Sequence, residues 1–130
     1  MINIDKKNVL LLHDLIVKQS GGKAGVRDVS LLDSAIACAY QTFDSNELYP
    51  SVEEKAARLG YGLISNHAFV DGNKRIGVLV MLTFLKINNV KLKVTDEDLI
   101  KFGYSVANGS MKHTDILSWI NSHKQPELEK

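Results

Sequence analysis

The segment that most restricts the fold of this chain is an apolar run from Ile76 to Leu85. A helix over this run is apolar on nearly every side, so it is stable only where other elements surround it. The run is half the length of about 20 residues that a helix needs to cross a bilayer. It therefore predicts a buried helix at the centre of a domain, without a membrane-spanning segment.

Helical periodicity continues through the rest of the chain. Only two prolines occur among 130 residues, so most of the chain is free to be helical. The predicted helices cover 5–19, 28–43, 51–65, 74–88 and 95–107, with a short sixth helix around 116–120. We predict an all-α fold, a compact bundle of about six helices around the central apolar helix. Residues 1–124 would form one domain and residues 125–130 a polar tail.

Two predictions about these helices depend on hydrophobic periodicity alone. The first helix would bury the stripe formed by Val9, Leu12, Leu15 and Ile16, and the second would continue its apolar face to Phe43. The helix starts are better defined, because Asp28 or Ser30, Ser51 and Thr95 are residues that cap helices. No run of residues predicts a strand.

Composition excludes several classes of protein. Apolar residues make up 45% and charged residues 24%, which is the usual globular mix. The net charge of +1 is too small for a dedicated nucleic-acid binder, which usually carries a strong basic excess. A single cysteine, Cys38, excludes an internal disulfide and a multi-cysteine metal site. With no export signal recognised, we expect a cytoplasmic protein with no membrane contact and no direct nucleic-acid binding.

Functional groups are concentrated in the segment from His67 to Arg75, which reads HAFVDGNKR and separates two apolar helices. A helix that starts here offers free N–H groups and a positive dipole end to an anion. Gly72 lets the backbone approach a phosphate closely, and Asn73 can donate through its side-chain amide. Lys74 and Arg75 oppose the helix dipole by up to ~1 kcal/mol, and a bound polyphosphate would reverse this penalty.

Two further groups in this segment suggest chemistry. Asp71 can hold Mg²⁺, which prefers one or two carboxylates together with phosphate oxygens. His67 can accept a proton from an attacking hydroxyl near neutral pH. Each residue alone also has an ordinary structural explanation, but their concentration in one loop favours a site. A Walker P-loop is excluded, because the pattern G-x-x-x-x-G-K-[ST] does not occur in the sequence. The evidence for a metal site formed by His67 and Asp71 is weak, because Gly72 interrupts the helix that would align them.

The segment from His67 to Arg75 resembles the signature of the Fic/Doc family, H-x-F-x-[D/E]-[G/A]-N-[G/K]-R. The stretches from Gly21 to Asp28 and from Tyr49 to Ala56 resemble the Doc ("death on curing") branch of that family. The resemblance covers nearly the whole chain, and it implies a compact helical toxin of a toxin–antitoxin pair.

The resemblance also implies a role for each residue of the loop. His67 would be the catalytic base, Phe69 a buried anchor and Asp71 the Mg²⁺ ligand. The cradle for the phosphates of ATP, or of another nucleoside triphosphate, would comprise Gly72, Asn73, Lys74 and Arg75. The family places a target-docking flap at residues 44–50, where the residues alone fit an ordinary surface loop equally well.

Three positions differ from the commonest Fic form. Ala68 replaces a proline, Lys74 replaces a glycine, and Val78 replaces a second arginine. In members that transfer AMP, that arginine holds the γ-phosphate. Its absence, with a lysine in the cradle, implies by resemblance to Doc that the nucleotide lies reversed and that the γ-phosphate faces the target hydroxyl.

We therefore expect phosphoryl transfer from a nucleoside triphosphate to a protein hydroxyl. The Doc resemblance suggests translation elongation factor Tu as the target, and arrest of translation and growth as the effect. The alternatives are adenylyl transfer and a non-catalytic nucleotide- or partner-binding module, against which the intact His67 argues. The inhibitory pattern [S/T]-x-x-x-E-[G/N] does not occur in the sequence, so we expect restraint by a separate antitoxin protein.

Overall fold

The computed structural model describes residues 1–126, and in this range the chain forms six helices and one small hairpin. The all-α fold and the number of helices are thus confirmed. The helices are α1 (Lys6–Ser20), α2 (Val29–Ala39), α3 (Val52–Ser65), α4 (Asn73–Ile87), α5 (Asp96–Ala107) and α6 (His113–His123).

The centre of the bundle is the pair formed by α3 and α4. Helix α3 contacts α2, α5 and α6 as well as α4, while α4 also contacts α1 and α5. Two glycines let the pair approach closely, because a Cβ atom on Gly77 would lie 3.0 Å from the carbonyl oxygen of Gly60. The predicted apolar helix is therefore central, and it shares that place with α3.

Side-chain caps define where the helices begin. Asp28 caps α2, and Ser51 and Thr95 begin α3 and α5 with reciprocal capping boxes completed by Glu54 and Asp98. Each box satisfies two backbone N–H groups that a helix start leaves without partners. These starts confirm the expectation from the sequence, because a cap depends on residues within one turn of the helix.

The apolar stripe predicted for α1 is wrong at one position. Leu15 is 51% exposed, whereas His13 is buried with 2% of its surface accessible. Val9, His13 and Ile16 follow helical spacing on the buried face, so a polar residue shares the face that we expected to be wholly apolar.

The predicted continuation of α2 to Phe43 is also wrong. The helix ends at Ala39, and a two-stranded antiparallel hairpin follows, β1 (Thr42–Phe43) and β2 (Asn46–Glu47). Asp44 and Ser45 both have positive φ angles, as the tight turns of hairpins require. Phe43 is 75% exposed on this hairpin, which lies partly in the segment where the family places its flap.

The end of the described chain packs against the link between α4 and α5. Leu92 and Lys124 form an isolated bridge, and the N–H of Gln125 donates to the carbonyl oxygen of Lys91. The predicted tail therefore begins with a residue that is held by the fold, and residues 127–130 lie outside the described range. Within residues 1–126, every helix is too short or too polar to cross a membrane.

Candidate active site

The predicted site lies in the loop that joins α3 to α4 and in the first turn of α4. Gly72 ends the loop with a left-handed backbone (φ 79°), and α4 begins at Asn73. Among residues 1–126, no side chain caps this start. The first N–H groups of α4 are therefore available to an anion, and the helix dipole favours negative charge there.

Asn73 closes the loop with its side chain. Its Oδ1 accepts the N–H of Phe69 at 3.0 Å, and its Nδ2 donates to the carbonyl oxygen of Phe69 at 3.1 Å. This side-chain amide, predicted as a phosphate donor, is thus used inside the loop. Any contribution of Asn73 to the cradle would come from its backbone N–H. Phe69 itself is buried and anchors the loop in the core.

The segment between α1 and α2 supports the loop from outside. Val26 pairs with Phe69 in an isolated antiparallel bridge, and the N–H of Val70 donates to the carbonyl oxygen of Gly25 at 3.1 Å. The guanidinium of Arg27 donates through Nε to the carbonyl oxygen of His67 at 2.8 Å. The stretch that resembles the Doc branch therefore has a structural role, because it holds the loop on one side.

His67 is exposed and adopts a left-handed backbone with φ 50°. A residue other than glycine pays of order 1–3 kcal/mol for such a conformation, which is found mainly where the surrounding structure enforces it. Arg27 holds the chain at this point, because its guanidinium donates to the carbonyl oxygen of His67 and its N–H donates to that of Ala68. The exposed imidazole can reach a hydroxyl group presented from solvent.

Asp71 lies close to the start of α4 with its carboxylate held by two backbone donors. Oδ2 accepts the N–H of Lys23 at 3.2 Å, and Oδ1 accepts the N–H of Gly72 at 2.8 Å. These hydrogen bonds, with a smaller effect of the nearby Arg75, lower the pKa of Asp71 below its ordinary value. The group is therefore an anion at neutral pH.

The carboxylate of Asp71 can hold a magnesium ion that also binds the phosphates of a nucleotide. Each carboxylate oxygen of Asp71 accepts one N–H and keeps a lone pair for a metal. Across residues 1–126, no group of three His, Cys, Asp or Glu side chains could hold an ion. A cation at Asp71 would thus take its other ligands from phosphate oxygens and water, as Mg²⁺ commonly does.

The two cations in the first turn of α4, Lys74 and Arg75, point in different directions. Arg75 donates a hydrogen bond to Ser20 Oγ at the end of α1 and lies near Asp71. The ammonium group of Lys74 lies 4.5 Å from the centre of the Tyr104 ring on α5, where the cation faces the π system. The structure thus places Asp71 and Arg75 together, while Lys74 would have to leave Tyr104 to reach a phosphate.

A groove of about 590 Å³ begins at these cations and runs between α1, α4 and α5. Its lining is mainly apolar, and Val78, the position that carries arginine in the commonest Fic form, is half-buried in its wall. We did not predict this groove. The sequence places two large apolar side chains, Ile100 and Tyr104, one helical turn apart. In the structure both remain exposed in this groove.

Two other residues at the site were missed. Arg27 carries no local sign of its contact with His67, which lies 40 residues away. His13, in contrast, could have been noticed as a histidine on the buried face of α1, and its Nε2 lies 2.8 Å from the carbonyl oxygen of Asp71.

Comparisons with known proteins agree with the resemblance. The model of the Fic/DOC family matches residues 3–85, which include α1 to α3, the complete loop between α3 and α4, and α4 up to Leu85. A curated relative, Toxin Doc of Mycolicibacterium smegmatis (strain ATCC 700084 / mc(2)155), is 42% identical over 89 residues. The alignment covers 68% of this chain and 66% of that protein, slightly less than two thirds of its length. With the signature loop placed between two central helices, the match to the family model, which covers more than half of the chain, shows that the chain belongs to the Fic/DOC family.

Proposed function

We propose that this protein is a Doc-like toxin that transfers a phosphoryl group from a nucleoside triphosphate to a hydroxyl group of a target protein. The observation that carries the proposal is an exposed His67 in the same loop as an ionised Asp71, with an uncapped helix start at the end of that loop. A site that only bound phosphate would need no base. The name of the M. smegmatis relative supports the toxin role, and the Doc resemblance suggests elongation factor Tu as the target.

In the proposed reaction, the first N–H groups of α4 and the Arg75 guanidinium bind the phosphates. A Mg²⁺ ion held by Asp71 would neutralise charge on the phosphate oxygens. His67 takes the proton of the target hydroxyl, whose oxygen forms a bond to the γ-phosphorus. The bond from that phosphorus to the β–γ bridging oxygen breaks, and the nucleoside diphosphate leaves. His67 then releases its proton to solvent.

The base is tested by His67→Ala. We expect transfer to fall by roughly 10²–10⁴-fold while nucleotide binding is kept. Asn89→Ala is a matched control, because Asn89 is also exposed and left-handed (φ 66°) but lies beyond the far end of α4. Equal loss in both variants, or unchanged transfer in His67→Ala, would contradict the assignment.

The chemistry is tested with ATP that carries the tracer at the α- or the γ-phosphate. Wild-type protein should transfer the γ label to the target, and transfer of the α label would replace the kinase proposal by adenylyl transfer. One observation favours the alternative of adenylyl transfer: the ammonium group of Lys74 faces the Tyr104 ring and would have to move to contact a phosphate. Lys74→Gly with Val78→Arg should gain α label, because Val78 borders the groove and leaves room for a longer side chain.

Regulation by an antitoxin is part of the same proposal. Expression of the chain alone in the cytoplasm should arrest growth, and co-expression of the antitoxin should restore it. Harmless expression of a folded protein that transfers no label would favour a non-catalytic binding module.

A further inference from the structure

A buried histidine on α1 has no role in the proposed reaction. His13 is 2% exposed and is one of two polar or charged residues of 1–126 that are buried, the other being Lys55. Its ring lies parallel to that of Phe69, with 3.9 Å between the ring centres and an angle of 11° between the planes. An apolar side chain could provide this packing, so packing alone does not account for a histidine.

The polar contact of His13 reaches the proposed metal ligand. Nε2 lies 2.8 Å from the carbonyl oxygen of Asp71, 58 residues further along the chain. A carbonyl oxygen can only accept, so Nε2 carries the hydrogen and donates it. This bond connects α1 to the loop at the peptide group immediately before Gly72.

Asp71 is thereby held at three atoms. His13 binds its carbonyl oxygen, while the N–H groups of Lys23 and Gly72 bind the two carboxylate oxygens. His13 lies within α1, and Lys23 follows the end of this helix. The orientation of the carboxylate is therefore determined by its packing against α1 as well as by the loop itself.

We infer that His13 is a positioning residue, which fixes the peptide group of Asp71 so that its carboxylate is oriented for a divalent cation. The inference rests on the proposed function for the cation, and it concerns the hydrogen bond and not the stacked ring. A residue that acted only in the core would be replaceable by any aromatic side chain of similar size.

Three variants separate the hydrogen bond from the packing. His13→Phe keeps a stacked ring and loses the donor, whereas His13→Gln restores an N–H group at a position similar to that of Nε2. His113→Phe is the matched control, because it makes the same exchange at a partly buried histidine on α6. Thermal melting verifies that each variant is folded.

The first measurement uses the metal-free protein, without substrate. Hydrogen exchange followed by NMR reports the N–H groups of Lys23 and Gly72, which bind the Asp71 carboxylate. In His13→Phe we expect both to exchange faster by up to about tenfold, which corresponds to the loss of one hydrogen bond. His13→Gln and His113→Phe should exchange as wild type does. Unchanged exchange in His13→Phe, or equally fast exchange in His13→Phe and His13→Gln, would overturn the inference.

The second measurement is a titration of Mg²⁺ with ATP present. His13→Phe should need a roughly tenfold higher Mg²⁺ concentration for half-maximal nucleotide binding, and His13→Gln should recover the wild-type value. Unchanged Mg²⁺ dependence in His13→Phe would overturn the inference. If wild type binds nucleotide with Mg²⁺ but transfers no label, the proposed transfer fails while the positioning role stands.

If His13→Phe does not fold, His13→Met replaces it in both measurements. Met and Gln have similar length and flexibility, and they differ in the donor. Equal results for His13→Met and His13→Gln would then overturn the inference.

Discussion

Gly22 shows how closely single residues determine the geometry of Asp71. It lies just after α1 with φ 101°, and a Cβ atom built on it would be 2.7 Å from Asp71 Oδ2 and 3.3 Å from the Arg75 guanidinium. Its neighbour Gly21 also has a positive φ angle, of 77°, but apart from its own chain neighbours, no heavy atom of residues 1–126 lies within 4 Å of its Cβ position. Both glycines adopt a positive φ angle, but only Gly22 lies against the side chains of Asp71 and Arg75.

Alanine substitution should separate these two effects. Both Gly21→Ala and Gly22→Ala should lower the free energy of unfolding by about 1–2 kcal/mol, because a Cβ atom is disfavoured at a positive φ angle. Gly22→Ala should also displace the Asp71 carboxylate and reduce transfer by roughly 10²-fold, as misplacement of a reacting group by about 1 Å can do. Transfer assays and urea denaturation check this, and equal activity of the two variants would contradict it.

Among the elements, α3 and α4 flank the signature loop and approach each other closely at Gly77. A Cβ atom on Gly77 would lie 2.4 Å from Cγ1 of Ile64, close to the end of α3. On α5, a Cβ atom on Gly103 would make ordinary contacts of 3.7 and 3.8 Å with Val78 and Lys74. The packing of α3 against α4 therefore requires Gly77, whereas the site of Gly103 leaves room for a methyl group.

We expect Gly77→Ala to lower the free energy of unfolding by about 1–3 kcal/mol, because the added methyl group overpacks the contact between α3 and α4. Gly103→Ala should raise it by up to about 1 kcal/mol, because alanine has the higher helix propensity. Urea denaturation of both variants measures the difference. A neutral Gly77→Ala would show that α3 and α4 can separate without cost.

The hairpin is attached to the bundle through Lys55 of α3. This side chain is 1% exposed, donates to the carbonyl oxygen of Tyr49 and lies 2.9 Å from the Glu47 carboxylate. Because Glu47 is half exposed, its charge would return to water if Lys55 were removed. The ion pair therefore holds the hairpin in place more than it stabilises the core.

Lys55→Met should release the hairpin and leave global stability within about 1 kcal/mol, since methionine fills a similar volume. Chymotrypsin should then cut after the exposed Phe43 faster than in wild type. Lys101→Met removes the exposed pair with Glu97 and should change neither quantity. Wild-type cleavage of Lys55→Met would show that other contacts hold the hairpin.

For the whole molecule, acid should reduce stability in two stages. Burial, with a smaller contribution from nearby Arg58, lowers the pKa of His113 below its ordinary value of about 6.5. The unfolded chain thus binds this proton at a higher pH than the folded chain does. Stability should be greatest above pH 6.5 and should fall as the pH drops below it.

The second stage comes from carboxylates such as Asp71 and Asp98, whose pKa values are lowered chiefly by backbone N–H donors. Their contribution is present above about pH 4 and is lost as the pH falls further. Urea denaturation between pH 3 and 8 measures both stages. His113→Phe should abolish the first and keep the second, and an unchanged profile would contradict the assignment to His113.

How much could be predicted from the sequence depends on the distance over which each feature is determined. The caps at Ser51 and Thr95, the end of α1 at Gly21 and the interruption between α3 and α4 were predicted, because they depend on neighbouring residues. The extension of α2 to Phe43 failed, because the periodicity of one segment does not reveal that a hairpin interrupts it.

The sequence by itself determined the helical class, the starts of α2, α3 and α5, and the candidate site residues from His67 to Arg75. The tertiary structure decided their arrangement: His13 lies against Asp71, Arg27 holds His67, and Lys74 rests on Tyr104. These partners are separated by 30 to 58 residues in the chain. The reason is that capping and helix propensity act within one turn, whereas contacts between distant residues form only after α1, α4 and α5 pack together.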